Sequence, residues 1–307
     1  DMDQPLLKSA LALISGLLLL SCNFDDPNLE FDPARADSTL VSLSASQSFQ
    51  VRRKNILESF GSFGCVSCPD AEAKLAPYFH QGPNYRPDLI VVNYHVKFGT
   101  TVKDYWVTDG TQARYDQSFA NSLPQVSMND SNGAFGIRKS DVNFNQGEYD
   151  SLVVRLRRLD TLTWIDLKLD TLNLIYDSIV QRMMVHFTVF NRGSIPEGAL
   201  AFRALAVKNL PVLSPLTGTR PWEAVVVETT DKDSAGREMA MEGLPPLTAK
   251  TFSVALNIPA DESPKHVKAP PLGMERPRDY AIIVFVKNGL GMVRNVLSYK
   301  YAPRSSN

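Results

Sequence analysis

The apolar and polar positions between residues 51 and 160 predict strands and helices in the order β-α-β-α-β-β-α. Segments 54–60 and 87–96 are β-compatible runs typical of buried strands. The residues after Cys68 begin with a proline and two early acids, and Asp109 or Thr111 can cap a second helix over residues 109–121. A strand after residue 124, a hairpin turn at Asn132-Gly133 and a last helix over residues 148–159 complete this order.

The pattern after residue 160 is that of short strands without a helical period. The clearest strand is Thr251–Ile258, where apolar side chains alternate strictly with smaller or polar ones. Other strands are predicted over residues 183–190, 201–207 and 224–229, with a final hairpin around Asn288-Gly289. Residues 161–303 are therefore expected to form an all-β antiparallel, immunoglobulin-like sandwich.

The N-terminal region predicts a secretory signal followed by a tether. Residues 6–20 form an apolar run that is shorter than the ~20 residues of a spanning helix. The run ends in Leu19-Leu20-Ser21-Cys22, which resembles the lipobox of bacterial lipoproteins. The resemblance implies a signal peptide over residues 1–21 and a lipidated Cys22; the alternative is an ordinary signal peptide with an incidental cysteine. Residues 22–50 are expected to be a flexible tether.

The length, the net charge and the number of cysteines exclude some classes of protein. The chain has 307 residues, about two domains' worth, with 32 basic and 33 acidic residues and a formal net charge of −1. This balance implies no bulk attraction to nucleic acid. The three cysteines are too few for a disulfide-knitted mini-protein.

Cys65 and Cys68 form the only CxxC pair of the sequence. In the oxidising compartment of a cell-envelope protein, such a pair is expected to form a disulfide with itself. A structural zinc site needs four ligands, and no second CxxC or paired-histidine motif supplies the others, so we predict no metal and no cofactor. The predicted strand-turn-CxxC-helix order places Cys65 at a helix N-terminus, which lowers the pKa of a thiol.

The CxxC at the first helix start and Pro124 directly before the third strand together resemble the thioredoxin fold over residues 51–160. More narrowly, the segments KNILESFGSFGCVSCPDAEAKL, VVNYHV and LPQVSMNDSNGAFG resemble the thioredoxin-like outer-membrane lipoprotein family of Bacteroidota. The expected fold class is thus an α/β thioredoxin-like domain followed by the β-sandwich. By this resemblance Pro124 is a cis-proline beside Cys65 and Cys68, in reach of an extended substrate.

The sequence departs from thioredoxins around the cysteines. Gly64 replaces a common tryptophan, and Val66-Ser67 replaces Gly-Pro. Ser59 lies at the approximate position of the buried acid that assists proton transfer, with Glu58 one residue earlier and expected on the opposite strand face.

Two functions remain open. In the first, the chain is an outer-membrane-anchored lipoprotein on the periplasmic side or the cell surface, held through lipidated Cys22, and serves as an accessory or binding module for other cell-envelope proteins. In the second, it is a thiol-disulfide oxidoreductase in which Cys65 attacks and Cys68 resolves, with His95 a candidate at the same sheet edge. A purely structural Cys65–Cys68 bridge is the alternative to any redox role.

Overall fold

Strands dominate the part of the chain that the structure describes. The computed structural model describes residues 40–78, 86–99, 104, 106–118, 123–129, 137–140, 147, 150–151, 153–154, 161–176, 180–210, 222–229, 239–259 and 280–300. These residues belong to one compact unit, Ala34–Asn307. Within the described ranges, no helix combines the length and the apolar character that crossing a bilayer requires.

The strands and helices follow in a simple order along the chain. The strands are β1 Val41–Ser42, β2 Val51–Arg52, β3 Asn55–Gly61, β4 Leu89–His95, β5 Gln125–Met128, β6 Ile137–Ser140, β7 Leu162–Thr163, β8 Ile165–Tyr176, β9 Val180–Asn191, β10 Leu200–Leu210, β11 Trp222–Thr229, β12 Met239–Met241, β13 Thr248–Pro259, β14 Tyr280–Asn288 and β15 Val293–Lys300. The α-helices with defined bounds are α1 Cys68–Leu75 and α2 Asp109–Ser118.

The local elements around the cysteines agree with the sequence pattern. β3 is buried over most of its length, and it pairs in parallel with β4 and antiparallel with β5. α1 begins at Cys68 with Pro69 in its first turn, where a proline loses no helical hydrogen bond. The predicted strand-turn-CxxC-helix order and the strand after residue 124 are thereby confirmed.

A nine-stranded sheet joins the two halves of the chain. Its strands run in the order β15-β14-β10-β11-β4-β3-β5-β6, with β12 paired to β10 beside them. The junction is β11, which pairs antiparallel with β10 and in parallel with β4, Val225 lying opposite Asn93. A single buried cluster contains side chains from β3, β4, β10, β11 and β14. Its members include Phe60, Val92, Leu205 and Phe285.

A four-stranded sheet, in the order β1-β13-β9-β8, forms a second layer. Its buried side chains, such as Val185 and Phe252, pack against Phe202 and Val284 from β10 and β14. β1, which falls in the predicted tether, pairs with the end of β13 at Val41 opposite Ala249.

The predicted fold class is wrong. The structure is mainly β, with several sheets and two bounded helices among the described residues, and no α/β thioredoxin-like domain followed by a separate sandwich is evident. The physical reason is that β3–β6 do not form a separate sheet. β11 pairs with β4, so strands of the second half of the chain belong to the same sheet as β3–β6. Sequence periodicity identifies strands but contains no information on which distant strand pairs with a given edge.

Several predictions lie outside the described residues. These include the signal segment 1–21, Cys22, the Asn132-Gly133 turn and part of the helix expected over residues 148–159. The domain limits 51–160 and 161–303 stay predictions.

Candidate functional site

A disulfide joins Cys65 and Cys68 at the point where the chain passes from β3 into α1. The two Cα atoms are 5.4 Å apart. The Cys68 N–H donates to the Cys65 carbonyl at 3.3 Å, and the Cys65 N–H donates to the Ser62 carbonyl at 3.1 Å. The predicted pairing is therefore present in the structure, and the connection is a tight turn braced by both covalent and hydrogen bonds.

Both cysteines face the protein interior. Each is about 1% exposed, whereas Val66 between them is 84% exposed. The cysteines belong to the core cluster that also contains Phe60 from β3 and Leu205 and Phe285 from the second half of the chain. The turn thus presents an apolar side chain to solvent and keeps its sulfur atoms inside.

His95 and Asp104 lie directly beside this turn. The Nδ1–H of His95, at the end of β4, donates to the Asp104 carboxylate at 2.8 Å, and both side chains are buried. The same carboxylate accepts the backbone N–H of Phe63 at 2.9 Å and that of Trp106 at 3.1 Å. The Phe63 ring meets the His95 ring edge-on, with centroids 5.0 Å apart.

Asp104 therefore connects the end of β4 to the turn that contains the disulfide. The structure places His95 at this edge, as predicted from its position in the strand. Asp104 was not identified from the sequence, because it stands in no motif and its role depends on a fold-back of the chain.

Pro124 lies at the same end of β3. The Leu123–Pro124 peptide bond is cis. Phe60 is opposite Gln125 in the antiparallel β3–β5 pair, and Pro124 directly precedes Gln125 in the chain. Leu123 belongs to the same core cluster as Cys65 and Cys68. A catalytic role for Pro124, Cys65 and Cys68 stays a prediction.

Glu58, one residue before Ser59, forms a buried ion pair with α2. The Arg114 Nε–H donates to Glu58 Oε1 at 3.0 Å, and its terminal NH₂ donates to Oε2 at 2.6 Å. A second guanidinium, that of Arg203 on β10, lies 3.7 Å from Oε1. All three side chains are at most 2% exposed. Because a bidentate arginine occupies both carboxylate oxygens, Glu58 is engaged in a structural pair.

No group of three or more histidine, cysteine, aspartate or glutamate side chains is arranged to hold a metal ion among the residues that the structure describes.

The comparisons with known proteins give a likeness in fold. No family model matches the chain. No curated protein matches its sequence either. Among solved structures, HBP35 of Porphyromonas gingivalis superposes with a TM-score of 0.54 at 14% identity, over 83% of this chain and 78% of that one.

Two β-glucosidases also match, with TM-scores too low to indicate a shared fold. The enzyme of Paenibacillus barengoltzii has a TM-score of 0.25 and DesR of Streptomyces venezuelae one of 0.19, both at 12% identity. Each match covers 47% of this chain but only 14% and 16% of the respective enzyme. The overall architecture is therefore similar to that of HBP35, and the predicted lipoprotein family is not shown.

Proposed function

We propose that this chain is a cell-envelope lipoprotein that acts as an accessory or binding module, and that its Cys65–Cys68 disulfide is a structural brace. The main support for this proposal is that both cysteines are buried, each about 1% exposed. They lie in a core formed by strands from both halves of the chain.

The burial opposes efficient thiol exchange. Exchange requires a thiolate to approach one sulfur of the disulfide directly, so its rate depends on access. In this structure an attacking thiolate cannot reach either sulfur atom while the turn keeps its native conformation. The hydrogen bond from the Phe63 N–H to the Asp104 carboxylate stabilises that conformation. Opening the turn would expose core residues and break a hydrogen bond to a buried carboxylate, which costs free energy.

The proposed location rests on the residues and on the disulfide. The apolar run before Cys22 and the lipobox-like Leu19-Leu20-Ser21-Cys22 favour export and lipidation. A disulfide persists in an oxidising compartment. The fold that the chain shares with HBP35 of Porphyromonas gingivalis, a member of the Bacteroidota, is compatible with this origin.

Native-state reduction tests the structural role of the disulfide. We expect dithiothreitol to reduce the bond slowly in buffer and rapidly at a urea concentration that unfolds the chain, with a reduction potential below about −300 mV. We also expect no catalysed reduction of insulin by the purified protein. Insulin reduction that is lost in Cys65→Ser would instead establish the oxidoreductase and overturn the brace.

Fractionation tests the location separately. We expect the mature protein to begin at an acylated Cys22, as measured by mass spectrometry of its N-terminal peptide, and to sediment with membranes. Cys22→Ala should move the protein to the soluble fraction, whereas Cys65→Ala combined with Cys68→Ala should leave it with the membranes. An unmodified Cys22, or a Cys22→Ala variant that stays with the membranes, contradicts lipid anchoring.

A further inference from the structure

A polar cleft opens between β2, β7 and β15, away from the residues discussed above. Its volume is about 410 Å³, which falls within the ~300–1,000 Å³ range of small-molecule sites. It is lined by Gln50, Arg53, Thr161, Leu162, Thr163, Trp164 and Arg294. The lining contains two arginines and no acid, and Glu197, outside the lining, is ion-paired with one of them, Arg294.

The protein holds both arginines in place. Arg53 is 7% exposed and donates to the Val293 carbonyl, and its backbone N–H donates to the Thr161 carbonyl at 2.8 Å. Arg294 is ion-paired with Glu197 and remains 24% exposed. The Nε of Arg294 is buried and makes no hydrogen bond to any residue of the described ranges, so a ligand in the cleft meets the exposed part of the side chain. A preorganised guanidinium loses little entropy when it binds an oxyanion.

The same cleft offers apolar surface. Trp164 is 37% exposed and Leu162 is 50% exposed, both high for large apolar side chains. The Trp164 indole packs against the backbone at Gly193, because a Cβ atom on Gly193 would lie only 3.0 Å from Trp164 Cγ. Since that position is glycine, the tryptophan packs directly on the backbone and is held at the cleft.

We propose that this cleft binds a small organic oxyanion, a carboxylate or a phosphate ester, through Arg53 and Arg294, with a flat or apolar portion of the ligand against Trp164 and Leu162. Arginine forms bidentate, charge-assisted hydrogen bonds to both kinds of oxyanion. Threonine hydroxyls and the Gln50 amide supply neutral donors around it. The site is independent of the role of the disulfide and of the location of the protein.

Calorimetric titration of the full chain tests the site with benzoate, phenyl phosphate, benzyl alcohol and inorganic phosphate as probes. We expect saturable binding of benzoate or phenyl phosphate, and the preferred one identifies the oxyanion. Arg294→Gln should weaken this binding about tenfold or more, the loss expected for one charge-assisted hydrogen bond. Arg86→Gln is the matched control, because Arg86 is 25% exposed and also paired with an acid, Asp88, but does not line the cleft.

Two further variants keep the test decisive if Arg294→Gln unfolds. Glu197→Gln removes the carboxylate that competes for Arg294, so it should strengthen binding, an effect that a purely structural residue would not produce. Trp164→Ala should weaken benzoate binding and leave inorganic phosphate unaffected. The proposal is overturned if neither aromatic anion binds, if benzyl alcohol binds equally well, or if inorganic phosphate binds as tightly as phenyl phosphate, which would indicate an adventitious ion only.

Discussion

His95 Nδ1 lies 2.8 Å from Asp104 Oδ2, and this hydrogen bond connects the end of β4 to the disulfide turn. The carboxylate is 3% exposed and accepts the Phe63 N–H as well. A buried carboxylate that satisfies several N–H donors fixes the relative position of the groups that carry them. The turn around Cys65 and Cys68 is therefore stabilised by a bond to the neighbouring strand as well as by its own covalent link.

Asp104→Asn should loosen this turn. The amide retains the size of the carboxylate but replaces charge-assisted hydrogen bonds with weaker ones, and one end presents donors where acceptors are needed. We expect the free energy of unfolding to fall by about 1–3 kcal/mol, measured by urea denaturation. Dithiothreitol should also reduce the disulfide faster in native buffer.

Asp116→Asn is the matched control for this substitution. Asp116 is exposed on α2 and accepts only a side-chain hydrogen bond from Gln112 at 2.7 Å among the contacts that the structure describes for it. We expect little change in either measurement. An Asp104→Asn protein with the stability and the reduction rate of the unmodified chain contradicts the role of Asp104.

Glu58→Gln should be the most destabilising conservative substitution at the described ion pairs. It leaves the guanidinium groups of Arg114 and Arg203 buried without the carboxylate that lies between them. Removing one partner of a buried ion pair costs about 3–5 kcal/mol, and we expect a loss of that size in urea denaturation.

Asp166→Asn provides the comparison for Glu58. Asp166 is also paired with an arginine: Arg192 Nε donates to it at 2.9 Å and the terminal nitrogen lies 2.8 Å from the same oxygen, but the Asp166 side chain is 25% exposed. We expect a loss below about 1 kcal/mol there. Equal losses at the two positions would mean that burial does not determine the cost.

The sequence predicts local elements better than their long-range pairing. The alternation over residues 251–258 identifies the centre of β13, and the proline after Cys68 identifies the start of α1. The position of Val225 opposite Asn93 depends on contacts between segments far apart in the chain, so periodicity does not reveal it. Asp104 was missed because it stands in no motif, and its bonds to His95 and Phe63 follow only from the fold of the chain. The Cys65–Cys68 pair was found because its two residues are three positions apart in one CxxC motif.

Gly243→Ala should destabilise the fold near Arg294 and the cleft. A Cβ atom at position 243 would lie 2.5 Å from the Glu197 carbonyl and 3.0 Å from that of Gly198, so backbone has to move. The backbone there pairs Glu197 with Leu244. We expect a loss of about 1–3 kcal/mol in thermal or urea unfolding.

Gly198→Ala is a close control, because Gly198 is exposed like Gly243 but a Cβ atom there meets nothing within 4 Å. Alanine also restricts the unfolded chain more than glycine does. We therefore expect Gly198→Ala to leave stability unchanged or to raise it slightly. A loss at position 198 equal to that at 243 would show that the close approach is not the cause.

The acid dependence of stability should include a contribution from Asp88. Burial raises the pKa of its carboxyl, but the hydrogen bond and charge of Arg86, the backbone N–H of Asp88 and the charge of Arg52 outweigh burial, so the pKa lies below its ordinary value. A carboxyl with a lowered pKa in the folded state stabilises that state above its unfolded pKa. This contribution disappears as the pH falls through the folded pKa.

Asp88→Asn should therefore reduce the free energy of unfolding at pH 7 by less than about 1 kcal/mol, since the ion pairs are partly exposed. The difference from the unmodified chain should shrink as the pH falls below about 3.9, the ordinary pKa of aspartate. Urea denaturation between pH 2.5 and pH 7, chosen as about the range that brackets that value, measures both quantities. Glu242→Gln, at an exposed acid without a described ion pair, should show no such convergence. A difference at Asp88 that stays constant across the whole pH range contradicts the assignment.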